Sequence, residues 1–368
     1  MLKLDKDSIV YIACSANFAT GGPELLHQLG AELRDLGFNI FMYYLRFDSA
    51  HLKSPVHDNY NKYDLPFVFE VKDIEKNLLL ISETDMNKVY QFKNIQYIIW
   101  WLSVDNAYVA LDLINSIYDC NSLIKRMFCK FIKGISLLPM LNVLYKLYSE
   151  YRISNIIYKT KESTRFKHFA QSFYAINHLN SIGVNNVEYL SDYLVDDFIK
   201  QTKEIDLSLK QNIVAYNPKK GLNFTKLIID YSANSICFVP IVNMTIDQVK
   251  KLLLVAKVYI DFGNHPGKDR IPREAAMLGC CVFTGLEGSA RFNEDVPIST
   301  LYKFPNEVSE VPNIVERIKY VFDNYELCCN DFEKYKSVIL DEHKLFKQSV
   351  ARIFRNMSDE NISSNNLL

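Results

Sequence analysis

The chain is 368 residues long, 49% of them hydrophobic, with a net charge of −1 from 42 basic and 43 acidic side chains. This length suits two domains, each with apolar material for its own core. The near-zero charge excludes a protein drawn to nucleic acid by its overall field, so any anion site must be local.

The opening MLKLDKDSIVYIAC lacks the basic start, long apolar run and small-residue cleavage site of a signal peptide. No apolar run reaches the roughly 18–20 residues that span a bilayer. The eight cysteines form no CxxC pair, and Cys280-Cys281 and Cys328-Cys329 are sequence neighbours that cannot easily bridge each other. The expectation is a cytoplasmic protein with reduced thiols.

In chain order, 8-SIVYIAC-14 is an apolar, β-branched run of strand length. The loop 15-SANFATGG-22 follows, and Pro23 with Glu24 marks a helix start. Leu25, Leu26, Leu29, Leu33 and Leu36 recur at helical spacing until Gly37. The run 38-FNIFMYYL-45 is the next strand, so the unit is β-loop-α-β and predicts a parallel sheet. Further strands are predicted at 66–71, 77–83 and 96–103, with a helix at 104–119. In that helix Asp105 or Asn106 stands near the start, the commoner job there being an N-cap.

A second unit of the same type starts at 212-NIVAYNPKKGLNFTKLIIDY-231, with a strand at 213–216, a turn at 217–221 and a helix from about Phe224. Strands at 235–241 and 258–263 enclose a helix at 245–257. Then comes 264-NHPGKDRIPREAAMLGCCVFTG-285, where Glu274 opens a short apolar helix and a strand follows. The fold class is α/β, with two Rossmann-like doubly wound domains facing across a cleft. The expected boundaries are 1–195, 196–345 and a C-terminal helix packing back toward the first domain within 346–368, its end frayed. Ligands of such folds bind beyond the carboxyl ends of the strands, where the unusual loops fall.

Four stretches carry the candidate chemistry. Gly21-Gly22 lies at a strand-to-helix turn, where backbone N–H groups can approach an anion; a plain tight turn explains it equally well. Lys219-Lys220-Gly221 holds the same place in the second half, as a diphosphate contact or a solvated turn. Lys268, Arg270, Arg273 and Glu274 crowd one helix entrance, suiting a phosphate-rich ligand and a ribose, or an internal ion-pair network. The segment 120–162 is basic and apolar by turns; Lys125, Arg126, Lys130 and Lys133 suit an anionic membrane surface or an ordinary solvated face. No second histidine or cysteine stands near His265 at metal-ligand spacing, so no metal is expected.

With these residues in place, the chain resembles a bacterial glycosyltransferase of the GT-B fold, related to the family-four group. The likeness rests on the Gly-Gly loop and first helix, on NPKKG, and on 273-REAAMLGCCVFTG-285, and spans about residues 10–345. WWLSVDN with HPGKDRIPREAA is most similar to transferases of capsule, O-antigen or exopolysaccharide synthesis. The resemblance implies that Glu274 binds the donor's ribose. Lys220, with Lys219, meets the diphosphate, and Gly21-Gly22 lies against the phosphates or donor sugar. Lys268 and Arg270 add donor-phosphate contacts. Many relatives carry a second glutamate eight positions earlier; here that place is Pro266, so its role is vacant or passes to His265 or Asp269.

The implied reaction moves a sugar from a nucleoside diphosphate donor to a hydroxyl of a glycan or lipid-linked glycan, with no metal or other cofactor. Preplaced cations and helix N-termini stabilise the departing diphosphate. If the reaction inverts, Asp105 is the candidate general base; if it retains, the donor phosphate can take the proton. The partners are the nucleotide sugar, the acceptor and an anionic membrane at its inner face, with no nucleic acid. The rival readings are a non-catalytic nucleotide-sugar-binding scaffold and a nucleotide-sugar epimerase of the same shape.

Overall fold

The computed structural model of the protein describes residues 2–47, 53–111, 139–200, 202 and 205–358. The chain divides into two compact units. The first comprises Met1–Gln171, Ala175–Leu190 and Lys347–Leu368; the second comprises Ser172–Tyr174 and Ser191–Phe346.

The first unit holds a seven-stranded sheet in the order β3-β2-β1-β4-β5-β6-β7. Its strands are β1 (Ile9–Ser15), β2 (Asn39–Leu45), β3 (Phe67–Val68), β4 (Leu78–Ser82), β5 (Gln96–Trp101), β6 (Phe166–Ala170) and β7 (Val187–Tyr189). Every pairing is parallel. Strands β4 and β5 are buried along their whole length, which is why they read as unbroken apolar runs rather than as an alternation. Helix α1 (Gly21–Asp35) buries Leu25, Leu26, Leu29 and Leu33. It ends as expected at Gly37, whose φ of +86° lets the Phe38 N–H reach back to Leu33 O at 3.0 Å. The predicted strand 66–71 shrinks to two residues at the sheet's edge, where a partner exists on one side only.

Beyond β5 the described helices of this unit are α2 (Val104–Ala110), α3 (Pro139–Thr160) and α4 (Phe173–Ser181), the last beginning in the second unit. The rest of the predicted helix 104–119 and the basic residues Lys125, Arg126, Lys130 and Lys133 lie outside the described residues. No helix among the described residues is long and apolar enough to cross a membrane.

The second unit opens with α5 (Asp196–Lys200). A four-stranded sheet follows, ordered β11-β10-β8-β9 and again parallel throughout. Strands β8 (Gln211–Tyr216), β9 (Cys237–Pro240), β10 (Ala256–Asp261) and β11 (Cys281–Thr284) alternate with α6 (Leu222–Tyr231), α7 (Ile246–Val255) and α8 (Arg270–Met277). Helices α9 (Val311–Asp323), α10 (Tyr325–Asn330) and α11 (Glu333–Arg355) complete it, with α11 passing into the first unit at Lys347. Its core runs through Val258, Ile260, Val282, Phe283 and Ile318. Both units are therefore the Rossmann-like parallel α/β layers read from the alternation of strand and helix. The six described cysteines are free thiols.

One helix is longer than its sequence suggested. The C-terminal helix expected within 346–368 is only the last turns of α11, which starts thirteen residues before Phe346, at Glu333. Tyr335, Ile339, Glu342 and Phe346 are buried at helical spacing, and the acid among them hides the stripe.

Candidate functional site

Three loops meet at the carboxyl edge of the second sheet, and glycines decide how closely. The turn after β8 closes with Gly221 at φ +58°, and a Cβ there would stand 2.4 Å from the carbonyl oxygen of Phe262. In the loop after β10, a Cβ on Gly263 would stand 2.3 Å from Lys220 Cβ. These two loops thus touch backbone to backbone, which no larger residue permits. The loop after β11 locks onto the same place. Ser289 donates its N–H to His265 O at 2.8 Å and its hydroxyl to Gly267 O at 2.7 Å.

The cations of the 264–274 segment separate into two groups on this frame. Arg273 is 1% exposed. Its guanidinium donates to Asp192 at 2.7 Å and Glu342 at 2.8 Å, and also to Asp269 O at 3.2 Å and Lys268 O at 3.2 Å. Lys268 donates to the same Glu342 at 2.8 Å and to Ser191 Oγ at 2.9 Å. Burial alone would raise the Asp192 carboxyl, but the charges of Arg273 and Lys268 outweigh it and hold the pKa below the usual range. Of the two readings offered for Lys268 and Arg273, donor phosphates or an internal ion-pair network, both side chains stand in the network. Their charges are neutralised inside the domain, and what they do is tie α8 to α11 and to the chain at Asp192.

The other group stays at the surface. Arg270 pairs with Glu274 one turn on, at 3.1 Å, with 40% and 16% side-chain exposure. Lys220 pairs with Asp269 and keeps 30% exposure. Lys219 is exposed, and its N–H closes the turn on Asn217 Oδ1 at 3.1 Å. Beside Arg270 and Glu274 lies a cavity of about 270 Å³, lined by Ile246, Val249, Leu253 and Ile271.

His265, a candidate from sequence for the role of the missing glutamate, is 0% exposed. Its Nε2 lies 3.5 Å from Asp261 Oδ1 and its Nδ1 lies 3.3 Å from Asp269 Oδ2. These are ion-pair distances without good hydrogen-bond directionality. Burial lowers the pKa of the ring, but Asp261 and then Asp269 outweigh it, so the net shift is upward. Asp261 moves the other way: burial raises it, while His265 and Lys220 bring its pKa below the ordinary range. Its oxygens also accept the Gly263 N–H and the Tyr259 hydroxyl, each at 3.1 Å.

Asp261, His265 and Asp269 bring one ligand atom each to within 4.8 Å of one another. The expectation of no metal rested on histidine and cysteine spacing, whereas this cluster is completed by two carboxylates. Asp269 already holds the Lys220 ammonium, so a metal ion would have to displace that cation.

Helix α8 begins at Arg270, four residues before the start expected at Glu274. Pro272 does not delay it, because N–H groups of the first turn have no partner inside the helix. Asp269 is the N-cap residue but makes no side-chain cap bond, being turned to Lys220 and His265. Helix α6 is likewise uncapped, with Gly221 at its N-cap. Helix α7 in the same unit differs: Thr245 and Gln248 form a complete capping box. Helices α9 and α10 lack side-chain caps as well, so what sets the N-termini of α6 and α8 apart is that Lys220 and Asp269 join them.

In the first unit, Gly21 and Gly22 form the first turn of α1, whose N-cap Thr20 makes no side-chain cap bond either. The helix starts two residues before Pro23. Asp105 lies in the first turn of α2 and is half-buried; the cap is Ser103, which accepts the Asn106 N–H at 3.3 Å. Sequence reading missed Glu83, at the end of β4. This carboxylate is 2% exposed and accepts the Leu102 N–H at 2.8 Å, which fixes the turn leading to Asp105. Burial pushes its pKa up to about 8.

The chain is similar in structure to sucrose-phosphate synthase from Thermosynechococcus elongatus, with a TM-score of 0.60 at 10% identity, over 95% of this chain and 99% of that one. A glycosyltransferase from Rickettsia africae gives a TM-score of 0.51 at 13% identity, over 95% and 98%. Anabaena HepE in complex with UDP-glucose gives 0.50 at 10% identity, over 95% and 99%. At these identities the likeness is one of fold, and the fold is GT-B. No family model matches the sequence, and no curated protein does.

Proposed function

We propose that the chain is a glycosyltransferase that moves a sugar from a nucleoside diphosphate to a hydroxyl of an acceptor. The observation that carries this reading is the pair of uncapped helix N-termini at Gly221 and Asp269, with the Lys220 ammonium between them. A diphosphate fits that arrangement chemically. As the glycosidic bond breaks, negative charge grows on the leaving phosphate, and fixed N–H groups and a cation lower the energy of that charge. The same groups supply the positive charge that a metal would otherwise bring, so the reading is metal-independent.

Glu274 is assigned to the ribose hydroxyls, with Arg270 as its neighbour. The apolar cavity beside them is assigned to the nucleoside. Asp105 is assigned to the acceptor's proton and Gly21-Gly22 to the donor phosphates or sugar. UDP-glucose bound to HepE supports a nucleotide sugar as donor. The sequence segments WWLSVDN and HPGKDRIPREAA support a glycan or lipid-linked glycan acceptor in bacterial surface-polysaccharide synthesis, in the cytoplasm and at the membrane's inner face.

The test is a thermal-shift and calorimetric screen of nucleotide sugars, followed by release of the nucleoside diphosphate with candidate acceptors. Donor binding with acceptor-dependent release supports the transferase. Binding without release favours a scaffold, and donor conversion without any acceptor favours an epimerase.

A further inference from the structure

Four side chains of the second unit stand in a row of alternating charge: Asp261, His265, Asp269 and Lys220. Only the last two reach solvent, at 20% and 30% side-chain exposure. The histidine is caged. Its carbonyl is bound by the Ser289 N–H, and Gly288 leaves no room beside it, since a Cβ there would lie 2.0 Å from His265 O. A neutral imidazole leaves the two flanking carboxylates with no counter-charge on the ring, whereas an imidazolium carries one positive charge at ion-pair distance from both. With His265 charged, the row sums to zero. No other charged side chain meets the ring in the described contacts, and Tyr259 faces Asp261 from the far side.

Resting on the donor reading above, we propose that Asp269 is an exchangeable counter-ion for Lys220, and that His265 is the positioning residue that makes the exchange possible. When a diphosphate reaches the two helix N-termini, Lys220 leaves Asp269 for a phosphate oxygen. Asp269 then remains paired with the imidazolium. Without that second cation, a bare carboxylate would stand at the cap of α8, where the anion must sit, and like charges would oppose binding. No covalent bond changes. Asp269 forgoes its own capping bond and holds Lys220 in place until the ligand arrives.

The experiment compares wild type, His265→Gln, Asp269→Asn and the double variant in calorimetric titrations with UDP and with inorganic pyrophosphate. Ring-carbon NMR of His265 against pH is recorded for each protein that retains it. His265→Gln should weaken both probes about tenfold, the scale of one charge-assisted contact. Asp269→Asn should bind more tightly than wild type, and the double variant should match it, because the carboxylate that needs neutralising is gone. In wild type, His265 should remain protonated at neutral pH, and Asp269→Asn should lower its pKa.

The proposal is overturned by a neutral His265 at neutral pH, by a double variant as weak as His265→Gln alone, or by Asp269→Asn that binds no better than wild type. The last result decides the matter even if His265→Gln does not fold. Pyrophosphate binding without UDP binding would sink the donor reading and leave the counter-ion exchange standing. Binding of neither probe would overturn both.

Discussion

The ammonium of Lys220 rests on the carboxylate of Asp269, and this contact ties the N-terminus of α6 to that of α8. The two residues come from loops 49 positions apart in sequence. Their backbones approach so closely because Gly221 and Gly263 have no side chains. The expected outcome of Lys220→Met is a loss of UDP affinity of about 10- to 100-fold, the range of a hydrogen bond to a charged group. Its melting temperature should change little, since the ion pair is part-exposed. Titration calorimetry beside a thermal melt checks both halves.

Arg273 should behave in the opposite way. Arg273→Leu strips the buried carboxylates Asp192 and Glu342 of their partner and should cost about 3–5 kcal/mol of stability. Urea unfolding measures it. A mild loss of stability with a large loss of nucleotide affinity would return Arg273 to the phosphate site.

Glu274→Gln keeps the shape of the side chain and removes its charge. The pair with Arg270 is part-exposed, so its loss should shift stability by no more than about 1 kcal/mol. Affinity for a nucleoside diphosphate should fall at least tenfold if the carboxylate holds ribose hydroxyls. The free base-less probe, inorganic pyrophosphate, should bind as before, which separates ribose recognition from phosphate recognition.

Glu83 supplies a pH dependence with a definite sign. Its folded-state pKa, about 8, lies above the ordinary value of 4.5, because burial disfavours the carboxylate. Its contribution to stability is therefore fully present below the ordinary value and is lost as pH rises through about 8. Relative to Glu83→Gln, the wild-type urea midpoint should fall between about pH 5 and pH 9. Parallel curves for the two proteins would show that Glu83 does not titrate in that window.

Charge reversal at Lys125, Arg126, Lys130 and Lys133 tests the membrane proposal. Sedimentation with vesicles containing anionic lipid should drop, and high salt should lower the wild-type value in the same way. Equal sedimentation of both proteins would remove that proposal.

Much of the fold was legible because burial writes itself into composition. The runs YIAC, LLLIS and QYIIWW are apolar without alternation, as strands covered on both faces must be. Strands β6 and β7 were not legible. Lys167 and His168 break the apolar run of β6, and what justifies His168 there is a bond from Trp101 Nε1 at 3.2 Å, which no local pattern announces. The candidate site was half legible. Lys220, Gly221 and the 264–274 segment were singled out from turn chemistry and charge.

What residue order alone determined is the succession of strand, turn and helix, and the places where unusual loops leave the carboxyl ends of strands. Those are local properties: apolar period, turn residues and the chain's own reach set them. Only the tertiary structure decided which charges are buried in internal ion pairs and which stay part-exposed. Arg273 and Arg270 look alike in sequence, but Glu342 and Asp192 arrive from 69 and 81 residues away to neutralise the first and not the second. The physical reason is that the cost of a buried charge depends on what stands beside it in space, and a partner many tens of residues distant leaves no mark on the segment it neutralises.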